Sequence, residues 1–196
     1  MIAIVDYGAG NLVSVKKAFD WLGQDCVITS SPTDVRHASK VVLPGVGHFA
    51  STAALARSGL QDSITEAISG KVPFLGICVG MQWMFSGSEE SPETRGLGVF
   101  PGTCARFPDS VKSPHVGWNR LDIASSSRLF RGLPPSPFVY FTHSYYAPVN
   151  GTTVACCDYA GKFSAAIEQD LLFGVQFHPE KSGAAGLRLL ANFGAI

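Results

Sequence analysis

Residues 76–80 of the chain read Gly-Ile-Cys-Val-Gly, with Cys78 at the centre. The apolar run Val72-Pro73-Phe74-Leu75 precedes them, and the helix-like run Gly80-Met81-Gln82-Trp83-Met84-Phe85 follows. That order spells strand, sharp turn, helix. G-x-C-x-G is the cysteine form of the nucleophile elbow, whose flanking glycines permit a strained turn that exposes the nucleophile above the sheet. A thiol attacks as its thiolate, and the start of a helix favours that charge through its dipole and free N–H groups. Far downstream comes Gly174-Val175-Gln176-Phe177-His178-Pro179-Glu180. Pro179 forces His178 into extended backbone. Residues two apart in extended chain share a face, so Glu180 is set to orient His178 and stabilise its charged form. The chemistry offered is acyl transfer through a cysteine, a histidine base and a carboxylate.

Each piece also has a plainer reading. A free cysteine behind a buried strand is often a small core residue, and His-Pro-Glu can simply end a strand. The two together, each behind a strand-like run, favour catalysis. An acyl-transfer nucleophile needs an oxyanion hole, and one donor is commonly the N–H after the nucleophile, here Val79. Pro44-Gly45-Val46-Gly47 closes another strand-like run, and its glycines let backbone turn toward a ligand. A tight strand-to-helix turn accounts for the same residues equally well. G-x-G-x-x-G is absent, and no Gly-Lys-Ser/Thr marks a P-loop.

Alternating elements must position these residues. Residues 2–5 read as a buried first strand. A helical pattern follows, with Leu12, Val15, Ala18, Phe19 and Leu22 on one face and Gly23 as its stop. Residues 26–28 and 41–43 are the next strands. Residues 48–69 read as two helical pieces broken near Gly59, and residues 72–77 lead into the elbow. Apolar strands alternating with helices predict an α/β fold with a mostly parallel sheet covered by helices on both faces. The second half predicts short strands at 98–100, 116–123, 138–146, 153–157, 165–169 and 172–177, a smaller extension of antiparallel, edge-like character. Gln169-Asp170 suits a hairpin turn, and residues 184–193 a final helix. With no repeat, linker or composition break, residues 1–196 read as one domain.

The bulk numbers agree. Of 196 residues 46% are hydrophobic and 15% charged, and 15 basic residues balance 15 acidic ones. Nothing points to nucleic acid or an anionic membrane. Asp6 interrupts the apolar start and no basic region precedes it, so it makes a poor signal peptide, and a soluble cytoplasmic protein is expected. The cysteines Cys26, Cys78, Cys104, Cys156 and Cys157 are odd in number and lack metal-like spacing, which argues against a disulfide framework and a zinc site. Cys26, Cys156 and Cys157 read as core, and Cys104 has no assignment. No cofactor or metal is called for.

The same residues resemble the class I (triad) glutamine amidotransferases, a likeness that implies a flavodoxin-like central sheet. LPGVGHF (43–49), GICVGMQ (76–82) and GVQFHPEKSG (174–183) match that family's three signatures. DYGAGN (6–11), SEES (88–91), PHVGWN (114–119) and YFTHSYY (140–146) narrow the likeness to the glutaminase subunits of imidazole glycerol phosphate synthase, over essentially the whole chain. The resemblance implies Cys78 as the nucleophile on the glutamine side-chain amide, His178 as proton carrier and Glu180 as its orienter. It implies an oxyanion hole at Val79 and the Val46-Gly47 region, whose Val46 peptide reorients before the hole forms. Gln82 and Glu90 would hold the α-amino and α-carboxylate ends of glutamine, helped by Gly47 and the backbone of Ser144 and Tyr145. It further implies that ammonia passes to a separate (β/α)₈-barrel cyclase, a heterodimer partner that makes imidazole glycerol phosphate and an aminoimidazole carboxamide ribotide in histidine biosynthesis. Asn11, Trp118, Tyr140 and Lys181 match positions expected at or near that interface. Residue by residue, Asn11 is equally a helix cap, Trp118 and Tyr140 core, and Lys181 a solvated charge.

Among the other histidines, His37 reads as surface, His48 as a cap or packing residue, His115 as ordering a loop, and His143 as structural near the substrate loop. Ser86-Gly87 departs from the family pattern and shortens the elbow helix, and Thr142 replaces a common aliphatic residue at the pocket edge. Two other readings compete. One is a glutaminase serving a different synthase. The other is a non-enzymatic flavodoxin-like protein with Cys78 as a redox sensor, which leaves His178-Pro179-Glu180 unexplained.

Overall fold

A computed structural model describes residues 1–123 and 127–196. Four apolar runs form the parallel strands β1 (Ile2–Val5), β2 (Cys26–Thr29), β3 (Lys40–Gly45) and β4 (Phe74–Cys78). Leu172–Val175 joins them in parallel beside β4, with Val175 opposite Ile77. Their spatial order is β2, β1, β3, β4 and then Leu172–Val175, the flavodoxin-like order. Lys162–Gln169, Thr153–Asp158 and Asp122–Ile123 extend the sheet antiparallel. The parallel strands are buried because helices cover them: Leu12–Trp21 packs with Gly183–Gly194, and Pro32–His37 with Leu60–Ser69.

Two smaller layers stand apart from this sheet. His115–Arg120 pairs antiparallel with Phe138–His143, placing Trp118 opposite Tyr140. Tyr145–Tyr146 pairs with Thr103–Arg106, which runs parallel to Gly87–Ser88. The fold is thus a large, mostly parallel sheet with flanking helices and small antiparallel additions.

The structure corrects several expectations. Residues 98–100 form no strand, and Gly98 takes a left-handed φ of 73°. The run 116–123 is two strands, His115–Arg120 and Asp122–Ile123, and 138–146 divides at Ser144. Pro32–His37 is a helix absent from the sequence reading, with Ser31 accepting from the Asp34 N–H as its cap. Most consequential, Leu172–Val175 is not edge-like. It lies between β4 and Lys162–Gln169, and its central place carries His178 to the end of the sheet where Cys78 sits. The expected turn at Gln169-Asp170 explains the reversal, with Asp170 at φ 52°.

Candidate active site

The site gathers at the carboxyl ends of the parallel strands, where open α/β sheets bind ligands. Cys78 ends β4 and faces Gly45 of β3 across the ladder. Its backbone sits at φ 55°, ψ −110°, a conformation that costs a non-glycine residue on the order of 1–3 kcal/mol. The chain then enters the short helix Val79–Trp83, so the early end implied by Ser86-Gly87 is found. Close approach makes the elbow glycines necessary. A Cβ on Gly76 would lie 2.6 Å from the Gly80 carbonyl oxygen, and one on Gly80 would run into the Leu43 carbonyl.

The sequence reading lifts the nucleophile into the open; the structure encloses it. Cys78 is only 3% exposed. Within the core its sulfur keeps polar neighbours: Gln176 Nε2 donates to Sγ at 3.6 Å, and the thiol couples to His178. His178 Nδ1 lies 2.9 Å from Glu180 Oε1, with both side chains 1% exposed. A carboxylate only accepts, so Nδ1 carries the proton and Nε2 remains for exchange. Burial alone would lower the pKa of this imidazole. Hydrogen bonding and charge interaction with Cys78 and Glu180 outweigh burial and raise it to about 10. Even so, Nε2 makes no hydrogen bond of good geometry. Sulfur and ring are therefore coupled neighbours whose bond is not yet closed, as is common before a substrate tightens such a site.

Glu180 reaches His178 differently from the expected extended pairing. His178 is extended, but Pro179–Lys181 is a 3₁₀ turn, and it is this turn that brings the carboxylate back. The His178 N–H donates to the Tyr140 carbonyl at 2.9 Å, and Ser182 Oγ bridges the Tyr140 N–H and the His178 carbonyl. Asn11 begins the first helix but makes no side-chain cap bond. Instead its Nδ2 donates to Glu180 Oε1 at 3.2 Å.

Next to Cys78, through Val79, a cavity of about 200 Å³ is lined by Gly47, Val79, Gln82, Glu90, Pro114, Thr142, His143, Ser144 and Tyr145. That volume lies below the roughly 300–1,000 Å³ of drug-sized sites and suits a small metabolite. A larger recess of about 490 Å³, at Ile123, Arg128, Phe130 and Pro135, holds no member of the triad. The expected glutamine-binding residues Gly47, Gln82, Glu90, Ser144 and Tyr145 thus meet at one cavity. Val79 brings an orphan N–H of its helix start there. Gly47 adopts φ 89°, and Val46 precedes it outside the lining. Glu90 Oε2 accepts the Phe49 N–H at 2.7 Å, which fixes the carboxylate at the cavity wall. Gln82 Nε2 is engaged by the Tyr145 carbonyl at 2.9 Å and by Gln176 Oε1 at 3.1 Å.

Trp118, Tyr140 and Lys181 form one surface cluster, with ring centroids 6.2 Å apart and Lys181 Nζ 5.8 Å from the Tyr140 ring. Trp118 is 56% exposed, so it is not core. Val116 and Phe138 are exposed nearby on the same strand pair. His48 caps the turn at Phe49–Thr52 by accepting the Ala50 N–H. His115 is a strand residue rather than a loop residue, buried and paired with His143 at 3.2 Å. Cys104 is buried core. The sequence reading missed Gln176. It lies two residues before His178, so the same-face argument applied to Glu180 would have pointed to it.

The chain matches the family described as glutamine amidotransferase class-I over residues 3–195. It is 48% identical over 198 residues to the imidazole glycerol phosphate synthase subunit HisH of Chlorobium luteolum, covering 98% of each chain. The same subunit of Methanothermobacter thermautotrophicus is 48% identical over 194 residues, covering 98% of this chain and 97% of the relative. A solved glutamine amidotransferase superposes with a TM-score of 0.78 at 16% identity, covering 100% of both chains; at that identity the likeness speaks for the fold. The chain belongs to the class-I glutamine amidotransferase family, and within it to the HisH group.

Proposed function

We propose that this class-I glutamine amidotransferase hydrolyses glutamine through Cys78, His178 and Glu180 and delivers the ammonia to a separate (β/α)₈-barrel cyclase. The reading rests above all on one observation: an imidazole coupled on one side to a strained cysteine and bonded on the other to a buried carboxylate.

Cys78 Sγ attacks the side-chain carbonyl carbon of glutamine. The oxyanion that forms is met by the Val79 N–H and by the backbone at Val46-Gly47. His178, held as imidazolium at neutral pH by its two neighbours, gives the Nε2 proton to the departing amide nitrogen. Ammonia leaves and a glutamyl thioester remains on Cys78. The imidazole then takes a proton from water, whose oxygen attacks the thioester, and glutamate is released as the sulfur is restored. Glu180 keeps the ring in one tautomer throughout. In the cavity, Glu90 suits the α-amino group of glutamine, because a carboxylate attracts an ammonium. Gly47 and the Ser144–Tyr145 segment suit the other end.

The cyclase docks on the exposed face of Val116, Trp118, Phe138 and Tyr140, with Lys181 at its edge. That face is apolar and aromatic, the composition of interface anchors. It adjoins the triad through Tyr140, whose carbonyl holds the His178 N–H. The product chemistry is that of histidine biosynthesis, and the cytoplasm is the compartment proposed; among the described residues no helix is long and apolar enough to cross a membrane. The test is a glutaminase assay on the chain alone, with a barrel cyclase, and with the cyclase plus its nucleotide. The chain alone is slow and the loaded complex at least about 10²-fold faster, the size of one oxyanion donor. Absence of glutamine hydrolysis in every arm rejects the proposal.

A further inference from the structure

The Gln176 amide is buried just past the strand Leu172–Val175 and belongs to none of the roles so far assigned. It is 0% exposed, and the strand beneath it is fixed by its own N–H, which donates to Ala165. Its side chain lies between two others. Oε1 accepts Gln82 Nε2 at 3.1 Å, and Nε2 donates to Cys78 Sγ at 3.6 Å.

The orientation of an amide follows from its network, and here one end is anchored. The Tyr145 carbonyl can only accept. Gln82 must therefore turn its NH₂ toward that carbonyl, 2.9 Å away, and the same NH₂ meets Gln176. Gln176 must then present its oxygen to Gln82 and its NH₂ to the sulfur. The Tyr145 carbonyl also receives His143 Nδ1 at 2.8 Å, so His143 carries its proton on Nδ1 and accepts at Nε2. His115 Nδ1–H donates to His143 Nε2 at 3.2 Å, and Asn119 Nδ2 donates to His115 Nε2 at 3.3 Å. Every donor direction along this line is set by the carbonyl at its middle. Two other titratable groups face the sulfur, His178 and Tyr7. His178 Nε2 and the Tyr7 hydroxyl make no hydrogen bond of good geometry. Among the described residues, Gln176 is the side-chain donor that meets Cys78 Sγ with such geometry.

We infer that Gln176 is a positioning residue for the nucleophile: its Nε2–H, aimed by Gln82 and the Tyr145 carbonyl, holds the Cys78 sulfur as an anion and sets its direction of attack. The role rests on Cys78 being the nucleophile. Sulfur accepts hydrogen bonds weakly as a thiol and strongly as a thiolate, so the bond favours the attacking form.

Gln176→Glu is the closest test, because one carboxylate oxygen still accepts from Gln82 while the other brings no donor to the sulfur. Gln176→Met removes both at similar volume. The rate of Cys78 alkylation by iodoacetamide, located by peptide mapping across pH 6 to 9, reads the sulfur directly. Both variants, compared with wild type in the intact chain, label about tenfold more slowly at pH 7, as loss of a hydrogen bond to a charged group implies. Their glutamine-dependent kcat in the cyclase complex falls by a similar factor, with KM within about twofold of wild type. Alkylation and kcat at wild-type rates in both variants overturn the inference. If neither variant folds, the Gln176 side-chain amide resonance of the wild type decides: it shifts on alkylation of Cys78, and an unmoved resonance overturns the inference. Should Cys78→Ala keep its glutamine turnover, the nucleophile assignment fails instead, an outcome the two Gln176 variants cannot produce.

Discussion

Asn11 Nδ2 donates to Glu180 Oε1 at 3.2 Å, tying the turn after β1 to the carboxylate that holds His178. The same oxygen receives His178 Nδ1, while the buried Glu180 Oε2 has no hydrogen-bond partner among the described residues. The direction of the carboxylate therefore depends on two donors to one oxygen. Asn11→Ala removes one of them. A hydrogen bond to a charged group contributes about 1.5 kcal/mol or more, so glutamine-dependent kcat falls about tenfold. KM for glutamine barely moves, since Asn11 does not line the cavity. Steady-state kinetics of the complex check this, and an unchanged kcat means the acid is held without Asn11.

Gly80→Ala tests the elbow as architecture. The added methyl would run into the Leu43 carbonyl of β3, which is backbone and has no side-chain freedom to yield. Overpacking of this kind costs on the order of 1–3 kcal/mol and more where backbone must shift. The variant is expected to lose several degrees of Tm or to fail to accumulate as soluble protein. A melting curve that overlays the wild type would show that the elbow is looser than its contacts imply.

Buried histidines give stability a pH dependence with two opposite arms. Burial lowers the pKa of His143 to about 3 and that of His115 to about 4. In the unfolded chain both bind protons near pH 6.5. Their contribution is therefore whole above pH 6.5 and is lost as pH falls toward 4 and 3. His178 runs the other way. Its raised pKa makes its contribution whole below pH 6.5 and lost as pH climbs through about 10. Urea midpoints from pH 4 to 10 should peak near neutrality. Glu180→Gln should flatten the alkaline arm and leave the acid arm alone. An alkaline arm of unchanged steepness in that variant would disprove the assignment to His178.

Trp118 lies opposite Tyr140 and stands 56% exposed on the strand pair whose Tyr140 carbonyl accepts the His178 N–H. A large aromatic at the centre of an interface commonly contributes 2 kcal/mol or more. Trp118→Ala should weaken cyclase binding about thirtyfold or more while leaving the Tm of the isolated chain within a degree or two. Calorimetric titration of the two subunits measures this, and unaltered affinity removes Trp118 from the interface.

Much of this site was legible because its signals are local. Glycines around Cys78, the Pro179 that extends His178, and the apolar runs before each are properties of neighbours in sequence. The parallel sheet was legible from the alternation of strands and helices in the first half, but its strand order was not. What escaped depends on distant contacts. Nothing near Asn11 announces Glu180, and its place before a helix suggests a cap that the structure does not form. The strand Leu172–Val175 looked like its antiparallel neighbours because pairing with β4 is a long-range choice. Cys78 looked exposed because an elbow motif carries no information about the chain that later folds over it. Gln176 drew no role from the sequence, because its amide gains a direction only from Gln82 and Tyr145, which are distant in the chain.

The most direct measurement compares glutamine with ammonium salt as nitrogen donor for the cyclase complex carrying Cys78→Ala. Glutamine-dependent synthesis should disappear into the background, and ammonium-dependent synthesis should continue at the wild-type rate, because in the proposed mechanism the partner subunit takes free ammonia. Normal turnover with glutamine in that variant would contradict the assignment of Cys78 as nucleophile and everything built on it.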